Sequence, residues 1–293
     1  MDHRAVIRTF ALLTILALVL AGPALAQTPK KGGVLRVGIL GEPPALDPHW
    51  TTASLTETLT THLYEGLYSL DENYRPIPML AEGMPTASAD GLTYTIKLRQ
   101  GVKFHNGKEM TSEDVVPSIK RWSQQSIRGK PLFALVEDFR AVDRYTVELR
   151  LKQKTPIVVI SLAVPSMFAA IYPKEVAEKF PPQVKATEYI GTGPFKLAEH
   201  RPDQYIRMVR FEDYKSLSER SRGYGGGKAV YVDEVRWIPV PDVATRVAQM
   251  ETGELYIVDD INIEAYDRLK RNPNVRPVLI KPYYWLVAVF NKK

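Results

Sequence analysis

The chain of 293 residues contains 0 Cys. That absence excludes disulfides, thiolate metal sites, a thiol nucleophile and a lipid-bearing cysteine at a processed N-terminus. Short hydrolytic motifs are missing as well. The 5 His, at positions 3, 49, 62, 105 and 200, form no H-E-x-x-H pair, and there is no G-x-S-x-G elbow. The apolar run at residues 10–20, broken only by Thr14, is about half of the roughly 20 residues a membrane-spanning helix needs. Basic blocks are lacking too: the net charge of +6 is spread through mixed-sign segments such as Lys174-Glu175 and Glu178-Lys179. A nucleic-acid binder would concentrate it on one face. No internal repeat is present.

The first feature that is there concerns export. Arg4 and Arg8 precede the short apolar run, and Gly22-Pro23 leads into Ala24-Leu25-Ala26. A basic start, a short apolar core and a small-x-small end describe a secretory signal peptide over residues 1–26, cleaved between Ala26 and Gln27. The expected product is a soluble, lipid-free protein of a Gram-negative periplasm. Its composition, 45% hydrophobic with 9 Phe, 15 Tyr and 4 Trp, supports a sizeable core, and the length suits two domains.

The mature chain alternates strand and helix patterns. Residues 34–40 form a nearly continuous apolar run suited to a buried strand. Residues 93–98 alternate, with Tyr94, Ile96 and Leu98 on one face. Residues 145–151 do the same with Tyr145, Val147, Leu149 and Leu151, so both read as strands with one wet face. Thr111-Ser112-Glu113-Asp114 is a helix start, followed by an apolar stripe of Val115, Ile119 and Trp122. Pro117 within it predicts a kink or an irregular first turn. Further helices are expected over 242–252, with Val243, Val247 and Met250 inward, and over 264–271. The glycine-rich stretch 221–228 reads as a flexible surface connection.

Four segments, in order, resemble the extracellular solute-binding proteins of family five, the dipeptide, oligopeptide and nickel-chelate receptors of ABC importers. The first is Gly33-Val34-Leu35-Arg36-Val37-Gly38 with Glu42-Pro43-Pro44-Ala45-Leu46-Asp47-Pro48-His49. The second is Tyr64-Glu65-Gly66-Leu67-Tyr68 with Pro78-Met79-Leu80-Ala81-Glu82. The third and most specific runs from Asp90-Gly91-Leu92-Thr93-Tyr94 through Gly101-Val102-Lys103-Phe104-His105-Asn106-Gly107-Lys108 to Lys120-Arg121. The fourth is Gly191-Thr192-Gly193-Pro194-Phe195 with Phe211-Glu212-Asp213-Tyr214. Turn chemistry alone accounts for Phe104-His105-Asn106-Gly107. A departure is Tyr256, where the family commonly has Asp.

The resemblance implies an α/β, type II periplasmic-binding fold with two lobes and an inserted subdomain in the first. The expected division is an opening segment of the first lobe at 27–60, the inserted subdomain at 61–185, the first lobe again at 186–275, and a hinge entering an incomplete second lobe at 276–293. Residues 284–290 read as a crossing strand, and the chain is expected to be truncated. Ligand contacts are expected from Glu42, Leu46, Asp47 and His49, from Thr192 and Gly193, and from Tyr283, Tyr284 and Trp285. No catalytic residue, metal or cofactor is expected. The implied function is capture of di- or oligopeptides by a monomeric receptor, for delivery to a membrane permease driven by cytoplasmic ATPases. The alternatives are a receptor for a metal chelate such as nickel or haem, and an envelope chaperone or sensor on the same scaffold.

Overall fold

The computed structural model describes residues 29–179 and 188–279. Along the chain, β1 (Val34–Ile39) leads to α1 (Ser54–Leu63), followed by β2 (Tyr68–Leu70), β3 (Pro76–Pro78), β4 (Thr86–Ala87) and β5 (Thr93–Lys97). Then come α2 (Ser112–Gln125), α3 (Gly129–Ala134), β6 (Val136–Asp143), β7 (Thr146–Leu151), α4 (Val158–Ala163) and α5 (Lys174–Lys179). The remainder is β8 (Phe195–Arg201), β9 (Tyr205–Arg210), β10 (Ser221–Arg222), β11 (Gly225–Gly226), β12 (Glu234–Pro239), α6 (Val243–Glu251), β13 (Ile257–Val258) and α7 (Ile263–Lys270).

Two sheets organise these elements. A four-stranded antiparallel sheet has the order β4-β5-β7-β6, and a five-stranded mixed sheet has the order β13-β1-β12-β9-β8. The alternating residues of β5 and β7 meet across the first sheet: Ile96 faces Val147 and Tyr94 faces Leu149, while Phe139 of β6 stands on the far side of Leu149. These side chains share a core with Val115, Ile119 and Trp122 of α2. Alternation puts the apolar set on one face, and the α2 stripe covers it.

Helix α2 is continuous through Pro117. The expected irregular turn does not interrupt it. Its start is held firmly: the buried Asp114 carboxylate accepts from the backbone N–H of Thr111 at 3.0 Å, from Lys108 Nζ at 2.7 Å and from the backbone N–H of Lys174 at 2.9 Å. With Val115, Ile119 and Trp122 fully buried, capping and packing offset the one hydrogen bond that proline removes.

In the second sheet β1 lies between parallel neighbours, in register Val37 to Trp237 of β12 and Val37 to Ile257 of β13. Its inner residues Val37 and Ile39 pack with Leu59 and Leu63 of α1 and with Trp237. Tyr256 has a physical reason here. The Arg36 guanidinium lies 4.4 Å over its ring while donating to the carbonyls of Gly253 and Glu254, which ties β1 to the approach to β13. Helix α6 is capped by Asp242, whose Oδ1 accepts from the Thr245 N–H at 2.8 Å. Val247 is buried and Val243 and Met250 are half-buried, while Arg246, unforeseen in the sequence, is buried and donates to the Val240 carbonyl at 2.6 Å.

The stretch 221–228 corrects a sequence expectation. Instead of a loose connection it forms the β10–β11 hairpin, and Gly225, Gly226 and Gly227 are buried. A Cβ at Gly227 would stand 2.1 Å from the Glu219 carbonyl oxygen. Glycine is needed there for close backbone approach, not for mobility.

Leu149, fully buried between β5 and β6, tests the assignment of the first core. Leu149→Ala should lower unfolding free energy by about 2–5 kcal/mol in urea titration, with an unchanged slope. A loss below about 1 kcal/mol would mean that this face is not a packed centre.

Candidate functional site

Parallel strands present their carboxyl ends as the usual place for a ligand. At that end of β1 the chain continues into the loop holding four of the candidates. Glu42 remains partly open, with its side chain 24% exposed. Its carboxylate accepts from His200 Nε2 and from the Asp203 backbone N–H at 3.3 Å, which fixes the loop to the β8–β9 turn. In the same loop Leu40 and Trp50 are exposed, two apolar rim residues that the sequence reading passed over.

Leu46, Asp47 and His49 are placed differently from expectation. All three are buried, Asp47 and His49 completely. Asp47 Oδ2 pairs with Arg121 Nη2 of α2 at 2.5 Å. Its Oδ1 accepts from Arg121 Nη1 at 3.2 Å, from the Tyr172 hydroxyl at 2.8 Å and from the His49 N–H at 3.1 Å. Arg121 Nη1 also donates to His49 Nδ1 at 2.8 Å, and His49 Nε2 donates to the Ala170 carbonyl at 3.0 Å. The guanidinium stands 5.4 Å from the Tyr172 ring centre. Asp47 and His49 therefore hold the loop against α2 and the segment before α5, and they do not form an open rim.

Thr192 and Gly193 are buried as well. Their glycine loop presses against the end of α1: a Cβ at Gly191 would lie 2.1 Å from the Leu63 carbonyl oxygen, and the Gly193 N–H donates to that same oxygen at 2.9 Å. Thr192 Oγ1 donates to Glu65 at 3.1 Å. His105, which the sequence reading assigned to turn chemistry alone, instead clasps the loop from the other side. Its Nδ1 accepts from the Gly191 N–H at 3.2 Å and its Nε2 donates to the Gly193 carbonyl at 3.0 Å. Its ring packs edge-on against Phe211, 5.1 Å away. Tyr283, Tyr284 and Trp285, and the crossing strand expected at 284–290, lie outside the described residues.

Electrostatics follow from this enclosure. Burial lowers the His49 pKa to about 3, with the positive charge of Arg121 adding to the effect. Burial likewise lowers His105 to about 4. In both rings Nδ1 accepts a hydrogen bond and Nε2 donates one, which defines the neutral tautomer and opposes a second proton. Among the described residues no group of three or more His, Asp or Glu is arranged to hold a metal ion, and no helix is long and apolar enough to cross a membrane. A concavity of about 420 Å³ opens on the face of the five-stranded sheet, lined chiefly by Leu35, Val37, Phe195, Trp237 and Ile257. Thr58, His62 and Asp259 are polar residues of this mainly apolar lining.

A mixed sheet with parallel β1, β12 and β13, joined to a second antiparallel sheet, is the architecture of type II periplasmic binding proteins. The oligopeptide-binding protein AppA of Bacillus subtilis, solved with a nonapeptide, superposes with a TM-score of 0.69 at 26% identity, covering 84% of this chain and 47% of that one. AgaA of A. tumefaciens R10, solved with agropinic acid, gives 0.70 at 26% identity over 82% of this chain and 46% of its own. Residues 75–293 match the family of bacterial extracellular solute-binding proteins, family 5 Middle, and the chain belongs to that family. A probable peptide ABC transporter periplasmic-binding protein of Sinorhizobium fredii is 33% identical over 237 residues, 78% of this chain and 43% of the relative. The glutathione-binding protein GsiB of Salmonella paratyphi A is 31% identical over 270 residues, 92% of this chain and 49% of the relative. The chain thus spans about half the length of the curated relatives it matches.

Burial lowers the pKa of three histidines, His62 (to about 4) among them, and His49 and His105 give a pH signature. Their folded pKa values, about 3 and about 4, lie below the ordinary value of about 6.5 expected unfolded. Between these limits the unfolded chain binds more protons, so stability rises with pH and is lost as pH falls. From pH 7 to pH 5 each of these histidines should cost roughly 2 kcal/mol. Urea midpoints at the two pH values check this; equal midpoints would contradict neutral, enclosed rings.

Proposed function

We propose that this polypeptide is the solute-capturing component of an ABC importer and that its solute is a peptide. The observation that carries the reading is the 33% identity over 237 residues to a probable peptide ABC transporter periplasmic-binding protein. The glutathione-binding relative supports it, glutathione being itself a small peptide-like solute. In this reading the segment at 1–26 is a signal peptide, the protein works in the periplasm as a monomer, and it hands solute to a membrane permease and its ATPases. It performs no catalysis. The five-stranded sheet and its helices belong to the first lobe, and the four-stranded sheet with α2 to α4 is the inserted subdomain.

Clamp-type receptors gain affinity by closing two lobes on a ligand and excluding water. Glu42, partly open past the carboxyl end of β1, is our first-lobe contact, with Leu40 and Trp50 exposed in the same segment. Thr192 and Gly193 act from beneath by fixing the shape of the neighbouring backbone.

Calorimetric titration separates the readings. A polypeptide extended to the relatives' length should bind di- or oligopeptides or glutathione saturably, and the 293-residue chain should bind the same ligand at least about tenfold more weakly, a loss of at least 1.4 kcal/mol. Saturable binding confined to nickel chelates or haem would favour the chelate receptor. Turnover of any of these ligands would overturn the binding-protein reading.

A further inference from the structure

We propose that the cleft whose lining includes Glu65, Lys228 and Tyr68 is a built site for structural water, which completes an ion pair that the protein leaves open. Glu65 follows α1 and its side chain is 1% exposed. Its carboxylate accepts from Thr192 Oγ1 at 3.1 Å and from the Tyr214 hydroxyl at 2.8 Å. Lys228 Nζ donates to the Thr61 carbonyl at 3.2 Å yet stops 4.0 Å from Glu65 Oε1. That separation is too long for a hydrogen bond and suits an intervening water.

Two independent observations point to the same occupant. Tyr68, 3% exposed, lines this cavity, and its buried hydroxyl has no partner among the protein atoms of the described residues. About 30 Å³ there is open to a water-sized guest, enough for ordered water. Charge narrows the choice further. A cation would meet Lys228 and an anion would meet Glu65, whereas a neutral dipole can accept from the ammonium and donate to the carboxylate. The Tyr68 hydroxyl, on the same lining, is the proposed third partner, within the two to four that buried waters make. Because Glu65 also holds Thr192, such a water joins Lys228 and Tyr68 to the glycine loop in one network.

A crystal structure of the full chain near 1.8 Å resolution tests the site directly. A density peak within hydrogen-bond reach of Lys228 Nζ, Glu65 and Tyr68 Oη is expected; a dry cavity, or Lys228 closed directly onto Glu65, would overturn the proposal. Thermal melting of Tyr68→Phe gives a second reading whose sign differs between the cases. Loss of a satisfied hydroxyl should lower the midpoint by about 2–4 °C. An unchanged or raised midpoint, with the far-UV spectrum retained, would mean that the hydroxyl had no partner to lose.

Discussion

The opening loop is tied to α2 by one buried ion pair, Asp47 with Arg121. Their side chains are 0% and 3% exposed, so both charges have left water. Taking them into the interior costs several kcal/mol per ion, and attraction offsets this only when the geometry is good and the remaining lone pairs are used. Here the fork of Arg121 meets both oxygens of Asp47, while Tyr172 and the His49 amide complete the carboxylate. The pair joins the loop after β1, in the five-stranded sheet, to α2, which packs on the four-stranded one. It fixes orientation more than it adds stability. A hydrophobic replacement could pack as well without specifying the angle at which the loop leaves the sheet.

Two further ties repeat this arrangement. His105 reaches from the turn before α2 to hold Gly191 and Gly193, and Glu65 holds Thr192 from the end of α1. Glu65 is buried and His105 half-buried, and each is satisfied by residues distant in the chain. Together they fasten the glycine loop to α1 and to the four-stranded unit. The surface above it is thereby set by groups that need not touch a solute themselves.

Much of the frame was legible in the chain. Alternation at 93–98 and 145–151 located β5 and β7 because a period of two carries its own face assignment, and the hydroxyl and acids at 111–114 marked the start of α2. The family was legible from segment order. The site was less so. Asp47 and Arg121 stand 74 positions apart, and neither the spacing nor the composition pairs them; the only hint was that both fall in segments carrying the resemblance. His49 read as an open ligand contact because a lone histidine in a loop gives no sign of burial. The glycines at 225–227 read as mobile because composition cannot distinguish a residue that needs freedom from one that needs close approach.

The most direct test is a double-mutant cycle on the pair, using Asp47→Asn, Arg121→Met and the double variant, with unfolding free energies from urea titration. Each single change leaves an uncompensated buried charge, and the expected cost is about 3–5 kcal/mol. The double variant should recover part of it, giving a coupling energy within the roughly 0.5–3 kcal/mol seen for residues in one network. Additive losses, with coupling near zero, would show that the two residues act independently and that the loop is held by something else.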